Sequence, residues 1–172
     1  IDLGGTNLRY AFFIKNTLSE ITKEKIADED FIPFLTKLLE EEKSEIDDLV
    51  IAAAGPNNQK SINLTNRSLL IDSNELKTRL KLKQCLLLND WEAVAQSLSE
   101  LNQECFLPLK SGAPSNENTL LIGPGTGLGV TLIIKGQIIP TEFGNTFSPT
   151  RNMLENFDLG DSKKFFSLEN IL

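Results

Sequence analysis

A glycine-rich turn between two apolar stretches is the feature that most constrains the fold of this chain. Residues 123–129 contain four glycines and one threonine, with apolar residues at 120–122 before them and the run Val-Thr-Leu-Ile-Ile at 130–134 after them. Short apolar flanks of this kind predict a strand, a tight turn and a second strand. Because glycine has no Cβ, such a turn can approach a ligand closely, and its N–H groups can bind an anion such as phosphate. A hairpin without a ligand is the alternative interpretation.

The spacing of the glycines excludes two other phosphate-binding motifs. A dinucleotide fingerprint needs Gly-x-Gly-x-x-Gly at the start of a helix. Counted from Gly125, the third glycine position is Val130, and counted from Gly123 it is Leu128. A Walker A loop needs Gly-Lys-Ser/Thr after the turn, and this sequence has none there.

The start of the chain repeats the same pattern at an offset of 120 residues. The matched positions are Gly5 and Gly125, Thr6 and Thr126, Ile14 and Ile134, and Lys15 and Lys135. In both copies the lysine stands at a predicted hairpin turn, at the same distance from the glycines. Such an internal repeat favours two phosphate-binding turns over two idle hairpins. Only the first copy carries a carboxylate, because Asp2 corresponds to Ile122.

Between the two copies, strand and helix patterns alternate. Helices are predicted at residues 31–42, 74–80 and 91–101, with Ser73 as the N-cap of the second. Continuous apolar runs at 49–54 and 84–88 predict buried parallel strands. This alternation predicts an α/β fold with a largely parallel sheet. Residues 108–118, rich in Pro, Gly, Ser and Asn, are predicted to link two domains.

Composition limits the classes of function. The net charge of −7 disfavours nucleic acid and anionic membrane surfaces as partners, and no apolar run reaches the roughly 20 residues that span a bilayer. Cys85 and Cys105 lack metal-site spacing, which is typical of a protein in a reducing cytoplasm. The sequence has no histidine, so Ser–His–Asp triads and His-ligated zinc are excluded. Any chemistry must therefore use carboxylates, amides, hydroxyls and backbone groups.

Asn89 and Asp90 stand where a buried strand ends and a helix begins. Ligands in open α/β sheets bind at the carboxyl ends of strands, so a carboxylate here can act as a general base. The alternative is that Asp90 only caps the helix. With phosphates on the glycine turns, Asp2 orienting a metal-bound water and Asp90 as base, the reaction class would be phosphoryl transfer to an alcohol.

Four motifs occur in the order Asp2-Leu-Gly-Gly-Thr-Asn-x-Arg9, Asn63-Leu-Thr-Asn66, Leu88-Asn-Asp90 with Ala93-Val94, and Gly123-x-Gly-Thr-Gly-Leu-Gly-Val130. They resemble those of bacterial glucokinases, which belong to the actin-like ATPase superfamily. The resemblance implies a ribonuclease H-like α/β domain at residues 1–109, with a mixed, largely parallel sheet. It also implies that residues 110–172 begin a second, similar domain. We expect this chain to be the first half of such an enzyme and to be inactive alone.

The resemblance further implies ATP-dependent phosphorylation of glucose or a related hexose at the 6-hydroxyl, with Mg²⁺, as the first step of glycolysis. Asp90 would be the base, and Asp2 would orient Mg²⁺ through water. Sugar contacts are expected from Asn66, Asn89, Asp90, Glu142 and Asn145. Nucleotide phosphate contacts are expected from Gly4, Gly5, Thr6, Asn7, Gly125, Thr126 and Gly127. A cytoplasmic homodimer is compatible with this family.

The sequence departs from the family pattern after the second turn. Phe143 and Asn145 stand where the family usually has Gly and His. Asn145 can still donate and accept hydrogen bonds, whereas Phe143 could crowd the sugar pocket. Two alternatives to a hexose kinase therefore remain, a sugar-binding or regulatory module that has lost turnover and a sugar-independent actin-like ATPase. Glu142 and the Asn89-Asp90 pair argue against the second.

Overall fold

Between the two glycine-rich turns, α-helices are interspersed with strands, as the sequence pattern predicts. The computed structural model describes residues 1–141 except 6, 59, 66, 111, 113–116 and 125–127. The strands are β1 (Asp2–Leu3), β2 (Leu8–Tyr10), β3 (Phe13–Ile14), β4 (Thr17–Leu18), β5 (Thr22–Glu24), β6 (Asp48–Ala53), β7 (Ser61–Asn63), β8 (Leu70–Asp72), β9 (Gln84–Asn89), β10 (Thr119–Pro124), β11 (Leu128–Ile134) and β12 (Gln137–Thr141). The α-helices are α1 (Phe31–Glu41), α2 (Ser73–Arg79) and α3 (Asp90–Ser97).

A five-stranded mixed sheet forms the centre of the N-terminal part, in the order β5-β2-β1-β6-β9. Strands β1, β6 and β9 run parallel, whereas β2 and β5 are antiparallel to their neighbours. The α/β class and the two parallel strands predicted from the apolar runs are therefore confirmed, although each of these strands is buried on one face and partly exposed on the other. Within the part of the chain that the structure describes, no helix is long and apolar enough to cross a membrane.

One side of this sheet carries the main hydrophobic core. Along β6, Leu49 and Ile51 are buried, whereas Val50 between them is 45% exposed. Phe31 of α1 and Leu76 of α2 belong to the same buried cluster, so both helices cover this side of the sheet. Full burial of an apolar side chain of this size contributes about 1.5–3 kcal/mol, which makes this cluster the main source of stability for the sheet.

The structure corrects the predicted start of α2 by one residue. Asp72, not Ser73, is the N-cap, and its Oδ1 accepts hydrogen bonds from the backbone N of Asn74 and of Glu75, both at 2.9 Å. The Ser73 hydroxyl instead donates to the carbonyl oxygen of Lys60 at 3.0 Å. Two adjacent residues could each cap this helix, and the burial of Ser73 against the segment before β7 decides between them.

The two predicted hairpin turns have the same backbone conformation. Lys15 and Asn16 between β3 and β4 have φ of 49° and 61°, and Lys135 and Gly136 between β11 and β12 have φ of 50° and 79°. Positive φ at both central residues is characteristic of the type I′ turns that suit two-residue hairpins. The sequence repeat is therefore also a repeat of local structure.

A second sheet carries the other copy of the repeat. Strands β10, β11 and β12 form an antiparallel sheet, and α3 packs against β11 and β12. Thr131 lies on the same side of β11 as Gly129, and its side chain is fully buried. The Oγ1 of Thr131 makes no hydrogen bond with any residue that the structure describes. A buried hydroxyl without a partner costs free energy of folding.

The Thr131→Val substitution should raise the free energy of unfolding by about 1 kcal/mol, because valine keeps the shape of threonine without the buried hydroxyl. Urea unfolding followed by circular dichroism measures this change. The same substitution at Thr119, which is exposed on β10, is the matched control and should have a smaller effect. A loss of stability in Thr131→Val would mean that the hydroxyl has a hydrogen-bond partner.

Candidate active site

The candidate site lies at the carboxyl edge of the three parallel strands. Leu3, Ala53 and Asn89 are in register, so β1, β6 and β9 end in one row. Gly4, a predicted phosphate contact, follows β1, and Asp90, the predicted base, follows β9. Gly55, which has a positive φ, lies just after β6. Ligand sites in α/β sheets occupy this edge because loops and helix N-termini converge there.

The first glycine turn leaves this edge directly after β1. The backbone N of Gly4 donates to the carbonyl oxygen of Asn7 at 2.9 Å, so the chain reverses between β1 and β2 within residues 4–7. Gly5 is exposed in this turn. The structure thus brings Gly4, Gly5 and Asn7, three of the predicted phosphate-binding residues, to the edge that Asp90 shares, whereas Thr6 lies outside the described residues.

Asp2 forms an ion pair with Arg9 across the first two strands. The two residues are register partners on β1 and β2, and Nη1 of Arg9 donates to Oδ2 of Asp2 at 2.7 Å. Both side chains are about half exposed, so the pair adds little stability. The pair instead orients the carboxylate of Asp2, because the guanidinium of Arg9 holds one of its oxygens. Asp2 is the residue predicted to orient Mg²⁺ through water.

Asn89 caps α3, and Asp90 does not. The Oδ1 of Asn89 accepts from the backbone N of Trp91 at 3.0 Å and of Glu92 at 3.3 Å, while Oε2 of Glu92 accepts from the backbone N of Asn89 at 3.1 Å. This reciprocal pair is a capping box. The interpretation of Asp90 as the helix cap is therefore wrong. Asp90 is the first helical residue, so its carboxylate is not needed to begin the helix.

Asn89 also connects two strand ends. Its Nδ2 donates to the carbonyl oxygen of Gly55 at 3.4 Å, and its side chain is buried. A Cβ on Gly55 would overlap the carbonyl oxygen of Asn63, so only glycine permits the chain after β6 to pass β7 this closely. The role of Asn89 in sugar binding stays a prediction. The structure adds that Asn89 caps α3 and joins the end of β9 to the segment after β6.

The carboxylate of Asp90 is half-buried beside a second carboxylate. Burial raises the pKa of Asp90, and the hydrogen bond that its Oδ1 accepts from the backbone N of Trp91 at 2.8 Å partly opposes this rise. The negative charge of Asp2 raises the pKa of Asp90 further. A carboxylate with a raised pKa is a stronger base, which is the property that proton abstraction from a hydroxyl requires.

The loop between β7 and β8 is docked against the same edge. The backbone N of Thr65 donates to the carbonyl oxygen of Ala54, and that of Leu64 donates to the carbonyl oxygen of Leu69, both at 3.1 Å. Asn66, which is predicted to contact the sugar, belongs to this segment but lies outside the described residues. Glu142 and Asn145, the other predicted sugar contacts, also lie outside them, as does Phe143.

The buried side chain of an arginine connects this loop to the segment before α1. The side chain of Arg67 is 7% exposed, and its Nε donates to Oδ1 of Asp28 at 2.5 Å. A second guanidinium nitrogen of Arg67 donates to the carbonyl oxygen of Ile26, and the backbone N of Ser68 donates to Oδ2 of Asp28 at 2.9 Å. Sequence reasoning missed Arg67 and Asp28, because they are 39 residues apart and no local pattern joins them.

The strands on either side of the second glycine turn lie against the start of α3. Strands β10 and β11 pair up to Pro124 and Leu128, and the predicted phosphate contacts Gly125, Thr126 and Gly127 between them lie outside the described residues. The indole of Trp91 lies against Gly123 and Gly129 on these strands. Sequence reasoning also missed Trp91. A lone tryptophan after Asp90 gives no signal of what it contacts.

No cluster of metal ligands is needed for the predicted metal. Among the described residues, no three His, Cys, Asp or Glu side chains lie close enough together to hold an ion. Mg²⁺ in phosphoryl-transfer sites is commonly held by substrate phosphates, water and one or two carboxylates. Asp2, half-exposed beside the first glycine turn, fits that arrangement.

The fold is that of the actin-like sugar kinases. The structure of a glucokinase from an Antarctic psychrotroph matches with a TM-score of 0.63 and 22% identity, covering 98% of this chain and 57% of that one. The inorganic polyphosphate/ATP-glucomannokinase from Arthrobacter sp. strain KM also has a TM-score of 0.63, with 19% identity, over 98% of this chain and 67% of that one. A ROK family glucokinase from Streptomyces griseus, solved with glucose and AMPPNP, has a TM-score of 0.59 and 18% identity, over 83% of this chain and 46% of that one.

The chain belongs to the glucokinase family, whose sequence model matches residues 1–156. The glucokinase of Pseudomonas aeruginosa is 30% identical over 158 residues, which cover 86% of this chain and 48% of that protein. The glucokinase of Nostoc punctiforme is 32% identical over 132 residues, covering 73% of this chain and 39% of that protein. The chain thus spans about half the length of the curated relatives it matches or less.

The Asp2→Asn substitution should lower the pKa of Asp90, because it removes a neighbouring negative charge and releases the positive charge of Arg9. Burial should still hold this pKa above the ordinary aspartate value of about 3.9. A carbon-13 NMR titration of the aspartate carboxyl groups measures it. Glu24→Gln, which removes an exposed carboxylate on β5, is the control. An unchanged Asp90 titration in Asp2→Asn would show that the two carboxylates do not interact.

Proposed function

We propose that the protein containing this chain transfers the γ-phosphoryl group of ATP to the 6-hydroxyl of glucose or a related hexose. The observation that carries this proposal is the position of Asp90. It lies at the carboxyl edge of the parallel strands, next to Asp2 and the first glycine turn, and Asn89 relieves it of capping α3. Membership in the glucokinase family supports the same reaction.

Asp90 acts as general base in the proposed reaction. As the 6-oxygen of the sugar attacks the γ-phosphorus, its proton passes to the carboxylate of Asp90, a new O–P bond forms and the bond to the ADP oxygen breaks. The burial that raises the pKa of Asp90 strengthens it as the acceptor of this proton. The bound sugar would exclude further water and add to this effect.

The two glycine turns bind the nucleotide phosphates in this proposal. Backbone N–H groups of residues 5–7 and 125–127 supply the contacts, as the composition of both turns favours, while Gly4, whose own N–H donates to Asn7, permits the close approach of the phosphate. Asp2, oriented by Arg9, would hold Mg²⁺ through water, and the bound ion would supply charge neutralisation at the phosphates. The Streptomyces griseus neighbour, solved with glucose and AMPPNP, supports ATP as the donor.

The sugar lies in the proposal between the β7–β8 loop and the start of α3. Asn66 and Asn89 contact its hydroxyls from the first domain, and Glu142 and Asn145 contact them from the second. The anchoring of the loop by Arg67 supports this assignment, because sugar specificity requires polar groups held in fixed positions.

The chain comprises, in this proposal, a first domain at residues 1–109 and the beginning of a second at 110–172. The exposed side of the β10–β12 sheet, which faces away from α3, is evidence for this second domain. It exposes Leu120 and Ile122, each 55% exposed, and Leu128, 46% exposed, and contiguous apolar surface of this kind is normally covered. The working protein is a cytoplasmic enzyme of glycolysis, and a homodimer is compatible with it.

The Asp90→Asn substitution should reduce turnover roughly 10²- to 10⁴-fold, because the amide cannot accept the hydroxyl proton. The assay measures sugar-dependent ADP release by the protein expressed from its complete reading frame. Folding should be retained. Since the pKa of Asp90 is raised in the folded state, its ionised form destabilises the fold above that pKa, and the amide removes this effect at neutral pH. The melting temperature at pH 7.5 should therefore not fall.

Three outcomes would contradict the proposal. Full turnover in Asp90→Asn would remove Asp90 as the base. Glucose binding by calorimetry without phosphate transfer in the wild type would instead identify a sugar-binding module that has lost turnover, as the Phe143 and Asn145 positions allow. ADP release without any sugar would identify an ATPase.

The Asp28→Asn substitution should raise the KM for glucose roughly tenfold and lower the free energy of unfolding by roughly 1–3 kcal/mol, because buried Arg67 loses its charged partner and the loop that contains Asn66 loosens. The KM for ATP should stay unchanged. Asp47→Asn, which removes the exposed ion pair with Lys83, is the matched control and should alter neither quantity. Equal changes in both KM values would contradict a role confined to the sugar loop.

A further inference from the structure

Trp91 joins the helix that begins at Asp90 to the strands that carry the second glycine turn. Its indole lies across Gly123 and Gly129, which are register partners on β10 and β11. A Cβ on Gly123 would overlap the six-membered ring at Cζ2 and Cη2. A Cβ on Gly129 would overlap the five-membered ring at Nε1 and Cδ1. The two glycines together therefore form the surface on which the indole lies.

The backbone does not require glycine at these two positions. Gly55 and Gly136 have positive φ, but Gly123 and Gly129 do not, and both belong to a regular antiparallel pair. Glycine within a strand normally weakens it, and one reason to have it there is the close approach of another group. Here that group is the indole of Trp91.

The contact lies between the proposed base and the strands that carry the second proposed phosphate turn. On one side, Trp91 follows Asp90 directly, and its backbone N donates both to the Asn89 cap and to Oδ1 of Asp90. On the other side, the pair Gly123–Gly129 precedes Pro124–Leu128, the last pair before the turn at residues 125–127. One rigid side chain thus connects the base with the strands of a phosphate-binding turn.

We propose that Trp91 is a positioning residue that sets the distance between the second phosphate turn and the carboxylate of Asp90. This inference rests on the proposed phosphoryl transfer. The indole is a flat spacer between α3 and the β10–β11 pair, and removing it lets these strands shift relative to the base. Phosphoryl transfer depends on in-line placement of the attacking oxygen and the γ-phosphorus, so a shift of this kind slows it.

A purely structural role for Trp91 gives a different expectation. A tryptophan that only fills space would change stability when replaced, but it would leave the kinetic constants of the folded enzyme unchanged. A positioning residue changes kcat and the KM for ATP in protein that is still folded, while the affinity for sugar alone stays the same. These two patterns separate the roles.

A double-mutant cycle on the complete protein tests the proposal. Trp91→Ala and Gly129→Ala should each lower kcat/KM for ATP roughly tenfold to a hundredfold, the range for a small misplacement of reacting groups. In the Trp91→Ala background, Gly129→Ala should cost less than about twofold, since the space left by the indole accepts the new methyl group. Trp91→Phe, which keeps a flat ring, should restore most of the activity. Gly112→Ala, where nothing lies near the added Cβ, is the matched control.

Fluorescence gives a second measurement that does not depend on turnover. Trp91 is the only tryptophan of residues 1–172. In the complete protein, the difference in emission between the wild type and Trp91→Phe therefore isolates the signal of this residue. Addition of AMPPNP with Mg²⁺ should change the emission of the wild type. In Gly129→Ala the emission of the free protein should already differ from that of the wild type, because the indole is displaced.

The outcomes separate this inference from the proposed function. Additive effects of Trp91→Ala and Gly129→Ala, or lower stability with unchanged kcat and KM for ATP, would overturn the positioning role while sugar-dependent turnover stands. A wild type without sugar-dependent ADP release would overturn the proposed function and this inference with it. If Trp91→Ala does not fold, Trp91→Phe and Gly129→Ala decide by the same kinetic criteria.

Discussion

The arrangement of the candidate site depends on the hydrogen bonds of one side chain, that of Asn89. Its Oδ1 begins α3 by accepting from the backbone N of Trp91 and Glu92, and its Nδ2 holds the carbonyl oxygen of Gly55 after β6. A single amide thereby fixes the helix start relative to two strand ends. Asparagine suits this place better than aspartate, since a carboxylate could accept both helix bonds but could not donate to Gly55.

The position of Asp90 lowers the stability of the fold. Asp90 is held half-buried near the charge of Asp2, and the raised pKa of Asp90 means that folding disfavours its ionised form. Arg9 offsets part of this repulsion by pairing with Asp2 rather than with Asp90. If Arg9 paired with Asp90, the pKa of Asp90 would fall and its strength as a base would fall with it. The charge distribution thus favours a basic carboxylate over a more stable fold, as is common at functional sites.

Local patterns made much of this architecture predictable, and contacts between distant segments account for what was missed. The apolar runs at 49–54 and 84–88 predicted β6 and β9 correctly, because short apolar runs favour strands, although each strand is buried on one face and partly exposed on the other. The matched Lys15 and Lys135 turns were predictable because hairpin turns depend on neighbouring residues. The ion pair of Arg67 and the contact of Trp91 with Gly129 were not, since each joins segments nearly forty residues apart and neither partner identifies the other.

The two copies of the repeat differ in what holds their turns in place. The first turn follows β1, whose backbone hydrogen bonds to β6 lock it into the five-stranded sheet. The strands of the second turn belong to a separate sheet, and within the described residues they meet the first unit through α3. The hydrogen bonds of a backbone ladder restrain the first copy, whereas close packing of a flat indole on two glycines restrains the strands of the second. The position of the first turn therefore depends on strand pairing, whereas that of the strands beside the second turn depends on the fit of the Trp91 indole against Gly123 and Gly129.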